Sequence, residues 1–247
     1  AFIGIILSTL IGLLIGIARL SNNYLIAKLA GGYIELFRNI PILLQILFWY
    51  NLFINVFPHP KQSLAFFDIA FLNQRGLYLP KPIAEDGFIF VALAFIIGII
   101  AAYFIRKFFK KKHELTGTHT STWIYTLGLI VGLPVLIYFL IGSPLQFDYA
   151  VLGKFNLSGG MAVVPEFLAL TFALSVYTAT YIAEAIRSGI EAVDKGQKEA
   201  AAAICLSPVQ SLKLIVLPQA LRVVIPPTIN QYLNLTKNSS LATVIGY

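Results

Sequence analysis

The sequence predicts an all-α protein, a polytopic domain of transmembrane helices. Three observations carry that reading. Of 247 residues, 58% are hydrophobic and only 12% are charged, and the mean hydropathy is +0.81, far from the balance of water-soluble domains. The apolar residues fall into long blocks separated by short polar stretches, which suits a single membrane domain over residues 1–247. The 18 Lys and Arg residues outnumber 11 acidic ones. They follow the block boundaries instead of gathering on one face, so the excess reports membrane topology and implies no nucleic acid.

A spanning helix needs roughly 20 apolar residues to cross about 30 Å of hydrocarbon. Windows near 1–17, 40–57, 88–105, 123–142, 166–186 and 215–235 qualify. The first lacks a basic leader and a small-residue cleavage site, so it reads as a mature span and not a secretory signal. Because the chain opens mid-run at Ala1 and closes in an apolar stretch at Tyr247, trimming at both ends is expected. The last window contains Pro218, Pro226 and Pro227. Prolines remove backbone donors, which predicts a break or kink near Pro226 and Pro227, with the polar groups of that span turned towards other helices.

Positive residues near span ends are retained in the cytoplasm. Alternate connections hold Arg19, Lys28 and Arg38, then Arg106, Lys107, Lys110, Lys111 and Lys112, then Arg187, Lys195, Lys198, Lys213 and Arg222. The opposite connections hold only Lys61, Arg75, Lys81, Lys154 and Lys237. The first set is therefore cytoplasmic, and the loops 58–87 and 143–164 are periplasmic. The cluster from Arg106 to Lys112 also suits contact with anionic membrane lipid, although retention at the membrane surface explains it more simply.

The cytoplasmic connection 187–213 holds two helix starts. Asp194 with Gln197 fits one capping box; Ser207 with Gln210, and Pro208 at the first helical position, fits another. Between them Ile190, Val193, Gln197, Ala200, Ala201 and Ile204 recur at helical spacing beside Lys195, Lys198 and Glu199. So short a helix must bury its small-residue face against its own membrane helices or in a partner's groove; periodicity leaves both options open.

Glu199-Ala200-Ala201, followed by Ile215-Val216-Leu217-Pro218, resembles the EAA signature of bacterial ATP-binding-cassette importer permeases. Gly196-Gln197, Pro218-Gln219-Ala220, Glu35-Leu36-Phe37-Arg38-Asn39-Ile40-Pro41 and Lys237-Asn238-Ser239-Ser240-Leu241 resemble the polar-amino-acid uptake branch. Residues 71–80 are similar to its long, general or acidic L-amino-acid permeases. One position departs: Cys205 stands where the signature normally has glycine, which suits a left-handed turn that strains cysteine. The resemblance implies a type I importer permease fold in a bacterial inner membrane. It implies a coupling helix in which Gly196, Glu199, Ala200, Ala201, Cys205 and Pro218 contact an ATP-binding cassette subunit. It also implies a second permease subunit, identical or homologous, and a periplasmic substrate-binding protein. ATP and Mg would act on the partner, since the chain has no GxxxxGK[ST] phosphate loop and is expected to be a transport subunit, not an enzyme.

Substrate contacts are less visible. Tyr177, Tyr181 and Glu184 recur at helical spacing in one window, and Asn230, Asn234 and Lys237 in another. An amino-acid zwitterion needs an anion or aromatic face for its ammonium and cations or amides for its carboxylate, chemistry that Glu184, Tyr181, Arg38 and Lys237 have; Gln45 and Thr178 are weaker candidates. Arg38 and Glu184 both fall near cytoplasmic span ends, where membrane topology and helix capping explain them without any ligand, and that reading outweighs cargo contact. His59, His113 and His119 are scattered and match no metal spacing, and the single Cys205 excludes an internal disulfide. An ion-driven secondary carrier or a structural subunit without cargo are the rival readings. The orientation is checked by thiol labelling in a Cys205→Ser background. In intact spheroplasts an impermeant reagent is expected to modify Gln62→Cys and spare Lys111→Cys, and the reverse pattern would invert the topology.

Overall fold

A computed structural model describes residues 1–67, 69–117, 121–153 and 157–247; His119 and Lys154 lie outside the described residues. It forms two compact units, residues 1–78 with 162–247 and residues 79–153 with 157–161. Both are dominated by helices long and apolar enough to cross a membrane.

In the first unit, α1 (Phe2–Arg19), α2 (Tyr24–Asn39) and α3 (Ile42–Asn55) precede an antiparallel meander of β1 (Leu64–Phe66), β2 (Ala70–Asn73) and β3 (Gly76–Leu79). The predicted window 40–57 holds α3, whose 14 residues are too few to cross about 30 Å of hydrocarbon alone. The stretch before it, expected to be a connection, is helical as α2 and meets α3 at 100°. The bend falls at Ile40–Pro41, because proline lacks the amide a continuous helix needs and excludes helical geometry from the residue before it. Gln45, 3% exposed, closes the elbow by donating from Nε2 to the carbonyls of Phe37 (2.7 Å) and Ile40 (2.9 Å).

The second unit holds β4 (Lys81–Ala84) paired with β5 (Leu145–Asp148), β6 (Val151–Leu152) paired with β7 (Leu157–Ser158), and α4 (Phe88–Thr116), α5 (Trp123–Leu127) and α6 (Leu133–Leu140). The predicted loops are thus partly extended, inside a fold that remains mostly helical. α4 runs past the predicted end at 105 and takes in the basic cluster, since Lys and Arg are good helix formers beyond the apolar limit. α4 packs closely on the wide π turn Gly128–Gly132, and a Cβ at Gly98 would stand 2.3 Å from the Leu129 carbonyl.

Back in the first unit, α7 (Pro165–Glu191) is the hub: α1, α2, α3 and α10 (Leu217–Asn238) all pack on it. Its buried positions are mainly small, with Ala169, Ala173, Ala179 and Ala183 fully enclosed. α1 presents Gly4, Ser8, Gly12 and Gly16, a four-residue repeat that lets two backbones approach closely. A Cβ at Gly12 would stand 2.7 Å from Ile182 Cβ, and one at Gly16 would stand 3.1 Å from the Ala183 carbonyl. The outer faces of α1 and α10 remain apolar and exposed, as a surface bathed by lipid requires.

The last span differs from expectation. A continuous helical stretch runs over Pro208–Ile245, with Pro226 and Pro227 inside α10 and no break there. The irregularity lies earlier, in a π turn at Leu212–Val216 just ahead of Pro218. The π turn in the second unit likewise directly precedes Leu133–Pro134. In each case the ring would clash with the carbonyl four residues back, and widening the preceding turn relieves it.

Gly12→Leu is expected to destabilise the fold by about 3 kcal/mol or more through overpacking against Ile182. Gly32, which has nothing within 4 Å of an added Cβ, should accept alanine with no loss. Melting temperatures of the two detergent-solubilised variants check the contrast.

Candidate functional site: a capped surface helix and an arginine-tyrosine cluster

Between α7 and α10 lies α8 (Lys195–Ala203), followed by α9 (Pro208–Ser211). Asp194 is the N-cap of α8 and accepts from the Gly196 amide at 2.6 Å. Gln197 does not complete a box with Asp194; its Oε1 instead accepts from Gln219 Nε2 at 3.4 Å, tying α8 to α10. Ser207 and Gln210 form the full reciprocal box. α8 ends in a left-handed residue, Cys205 at φ 57. The Cys205 amide donates to Ala202 O (2.9 Å) and the Leu206 amide to Ala201 O (3.1 Å), the paired bonds of a Schellman end. Glycine makes that turn without strain, whereas a Cβ costs roughly 1–2 kcal/mol.

The small-residue face is divided. Val193 and Ala201 are buried, Val193 against Val216 and Ala220. Gly196, Glu199, Ala200 and Ile204 remain exposed, as do Pro218 and the neighbouring apolar Val209 and Leu212. α8 is therefore anchored on one side and open on the other.

A second cluster joins α2 to α7. The Tyr33 hydroxyl donates to Val176 O at 2.9 Å. One turn beyond Ile34, which is itself buried, Arg38 holds its guanidinium 5.3 Å from the Tyr181 ring centre. The Tyr177 and Tyr181 hydroxyls are 2.8 Å apart. Glu184, on the next turn, is engaged: it accepts from Arg187 Nε (3.2 Å) and Nη2 (2.6 Å), while Arg187 Nη1 reaches Glu191. Thr178 is buried within the helix packing. Asn230, Asn234 and Lys237 are exposed along α10, and no hydrogen bond or ring contact joins them to the cluster among the described residues. Tyr33 and Arg187 were not singled out from the sequence. The Glu184–Arg187 spacing of three was a readable signal for the latter, but the reach of Tyr33 to another helix was not.

A groove of about 450 Å³ between α1, α7 and α10 is lined by aliphatic residues, with Thr9, Thr228 and Tyr232 its few polar groups. Thr9 and Tyr232 satisfy each other at 2.8 Å. The groove thus offers a zwitterion little to bind.

Apolar helices gathered on one small-residue hub, with a capped helix anchored at their end, define a multi-pass membrane protein. The chain belongs to the family of binding-protein-dependent transport system inner membrane components, whose model matches residues 94–247. It is 52% identical over its whole length to the general L-amino acid transport system permease protein AapQ of Rhizobium johnstonii. It is 49% identical over 98% of its length to the putative amino-acid ABC transporter permease protein YhdX of Escherichia coli. It is 39% identical over 94% of its length to the glutamate/glutamine/aspartate/asparagine transport system permease protein BztB of Rhodobacter capsulatus. The chain spans 62%, 62% and 61% of those relatives. A crystal structure of an amino acid ABC transporter with histidines shares the fold, with a TM-score of 0.51 at 20% identity, covering all of this chain and 66% of that one.

Cys205→Gly is expected to stabilise the α8–α9 turn by up to about 1 kcal/mol, the relief of left-handed strain being partly offset by the more flexible unfolded chain. Slower amide exchange at Cys205 and Leu206 relative to the parent protein measures it.

Proposed function

We propose that this chain is the membrane-spanning permease subunit of an ATP-binding-cassette importer that moves polar L-amino acids across a bacterial inner membrane. ATP and Mg are bound and hydrolysed on a separate ATP-binding cassette subunit, a periplasmic binding protein delivers cargo, and a second permease subunit completes the passage. The names of the relatives support amino-acid cargo, including general and acidic L-amino acids. The lysine and arginine asymmetry supports a cytoplasmic position for α8 and periplasmic positions for 58–87 and 143–164.

The observation that carries the coupling role is the divided face of α8. A helix of nine residues is too short to hold itself in water. Its own chain supplies one side through Ala201 and the Gln197–Gln219 bond. The other side leaves Glu199, Ala200 and Ile204 exposed beside Val209 and Leu212, the small and apolar surface that a groove in an ATPase would take. Motion of that partner would reach the core through α8 and the close contact of Gly189 on α7 with Val224 on α10.

Ala200→Trp is expected to abolish pull-down of the ATP-binding subunit and ATP-driven uptake in proteoliposomes while leaving insertion intact. Glu199→Lys should weaken both by reversing a contact charge. Ala201→Trp should act differently, lowering the melting temperature because its site is filled from within. Normal docking and coupled transport by Ala200→Trp would remove the coupling role and favour an ion-driven carrier.

A further inference from the structure

α4 runs past its apolar segment as one unbroken helix, and its length fixes the depth of its charges. From Phe88 to Ile105 it rises about 26 Å, close to the hydrocarbon thickness of about 30 Å, and Arg106 to Lys112 takes up about 9 Å more. One headgroup layer is about 5–8 Å deep. The cations therefore stand at the level of the lipid phosphates. They are also sided. The inner face of α4 is set by the buried Ala94 and Ala102, by Gly98 against the Leu129 carbonyl, and by Phe109, whose ring stacks on Tyr125 at 5.6 Å. At about 100° per residue, Arg106, Lys107, Lys110 and Lys111 fall on the opposite side, and all four are exposed. That side continues back through the exposed Phe104, Tyr103, Ile100, Ile99 and Ile96. Aliphatic groups thus lie at acyl depth, aromatic rings at the interface and cations at the phosphates. None of the four cations forms an ion pair among the described residues, and Glu114, a turn beyond Lys110 on the same side, pairs with neither it nor Lys111. Lys112 falls off this side of the helix and is left out of the site.

We propose that Arg106, Lys107, Lys110 and Lys111 bind the phosphate of an anionic phospholipid in the leaflet at that end of α4, with the lipid's acyl chains along Ile96, Ile99 and Ile100. Retention of positive charge on one side of a membrane depends on the number of cations and not on the side of the helix they occupy. The alignment of the charges with the lipid-facing stripe is what a bound lipid explains. Arg106, nearest the hydrocarbon, offers a planar pair of donors to two phosphate oxygens. The lysine stems are long enough to lie back along the helix and bring their ammonium groups to the same phosphate. A zwitterionic lipid carries its own cation into this field and is held less well, because that cation is repelled where the phosphate is attracted. The site requires only that α4 span the membrane and is independent of cargo and of the ATP-binding partner.

The test uses the complete chain assembled with its cognate partners, purified in detergent and given equal amounts of phosphatidylglycerol and phosphatidylcholine with the same acyl chains. Native mass spectrometry counts the lipids retained. Each cation at an anionic surface is worth roughly a fivefold gain in binding, so the parent should favour phosphatidylglycerol by about tenfold or more. Lys107→Gln, Lys110→Gln and Lys111→Gln combined should bring the two lipids close to parity, whereas arginine at the same three positions should keep the preference. Size-exclusion profiles matching the parent establish assembly; if the triple glutamine variant does not assemble, Lys110→Gln alone should lower the preference by about fivefold. Inorganic phosphate in millimolar excess should displace none of the bound phosphatidylglycerol, because the acyl chains also hold it. Equal retention of the two lipids by the parent, or a preference that survives the glutamine variants, overturns the site. Displacement by inorganic phosphate overturns it too, leaving a surface for soluble phosphate in place of a lipid.

Discussion

The first unit depends on the close approach of α7 to its neighbours. In hydrocarbon there is no water to drive apolar faces together, so helix pairs gain by contact and must bring their backbones near. Ala169, Ala173, Ala179 and Ala183 leave α7 thin enough for that, and Gly12 and Gly16 let α1 lie against Ile182 and the Ala183 carbonyl. Bulky residues are moved to the other side of α1 and to the outer face of α10, where lipid replaces protein. Tyr33 and Trp49 then attach α2 and α3 to the same hub, by a hydrogen bond to Val176 and an edge contact with Phe172. One enclosed helix thereby sets the position of four others.

Polar groups in this setting are spent on joints. Gln45 gives both amide hydrogens to carbonyls at the Pro41 elbow, where the helical pattern is interrupted. Thr228 and Ser175 turn their hydroxyls back to carbonyls of their own helices, as hydroxyls in apolar surroundings do. The prolines divide by position. Pro134 and Pro218 follow wide π turns that absorb the ring, whereas Pro226 and Pro227 are carried inside a helix already held against α7 at Gly189. A proline's effect on a span therefore depends on the packing around it as well as on the missing amide.

The two clusters differ in what they leave unfinished. α8 has both ends closed, by Asp194 and by the turn at Cys205, and one side anchored, so only its outer face is unfilled. At Arg38 the open feature is electrical: an exposed cation with an aromatic ring beneath it, and a carboxylate further along α7, Glu184, already paired. Membership in a family of transport components gives both features a common setting.

Composition and block length were enough to determine the membrane class, the helical fold and the approximate spans, because hydrocarbon demands long apolar segments whatever their arrangement. The caps around α8 were also legible, since Asp194, Ser207 and Gln210 act within a few residues of themselves. The α2 helix was missed because Lys28, Glu35 and Arg38 make it polar for a span, and its stability comes from packing on α7. The break expected at Pro226 and Pro227 did not occur because a backbone argument omits the helix alongside. The grouping of Arg38 with Tyr177 and Tyr181, about 140 residues away, was decided by the packing of α2 on α7, fixed by Tyr33 on Val176. Local chemistry could nominate those side chains, but only the tertiary structure could set their separation, because distance across a helix bundle is fixed by packing and not by spacing along the chain.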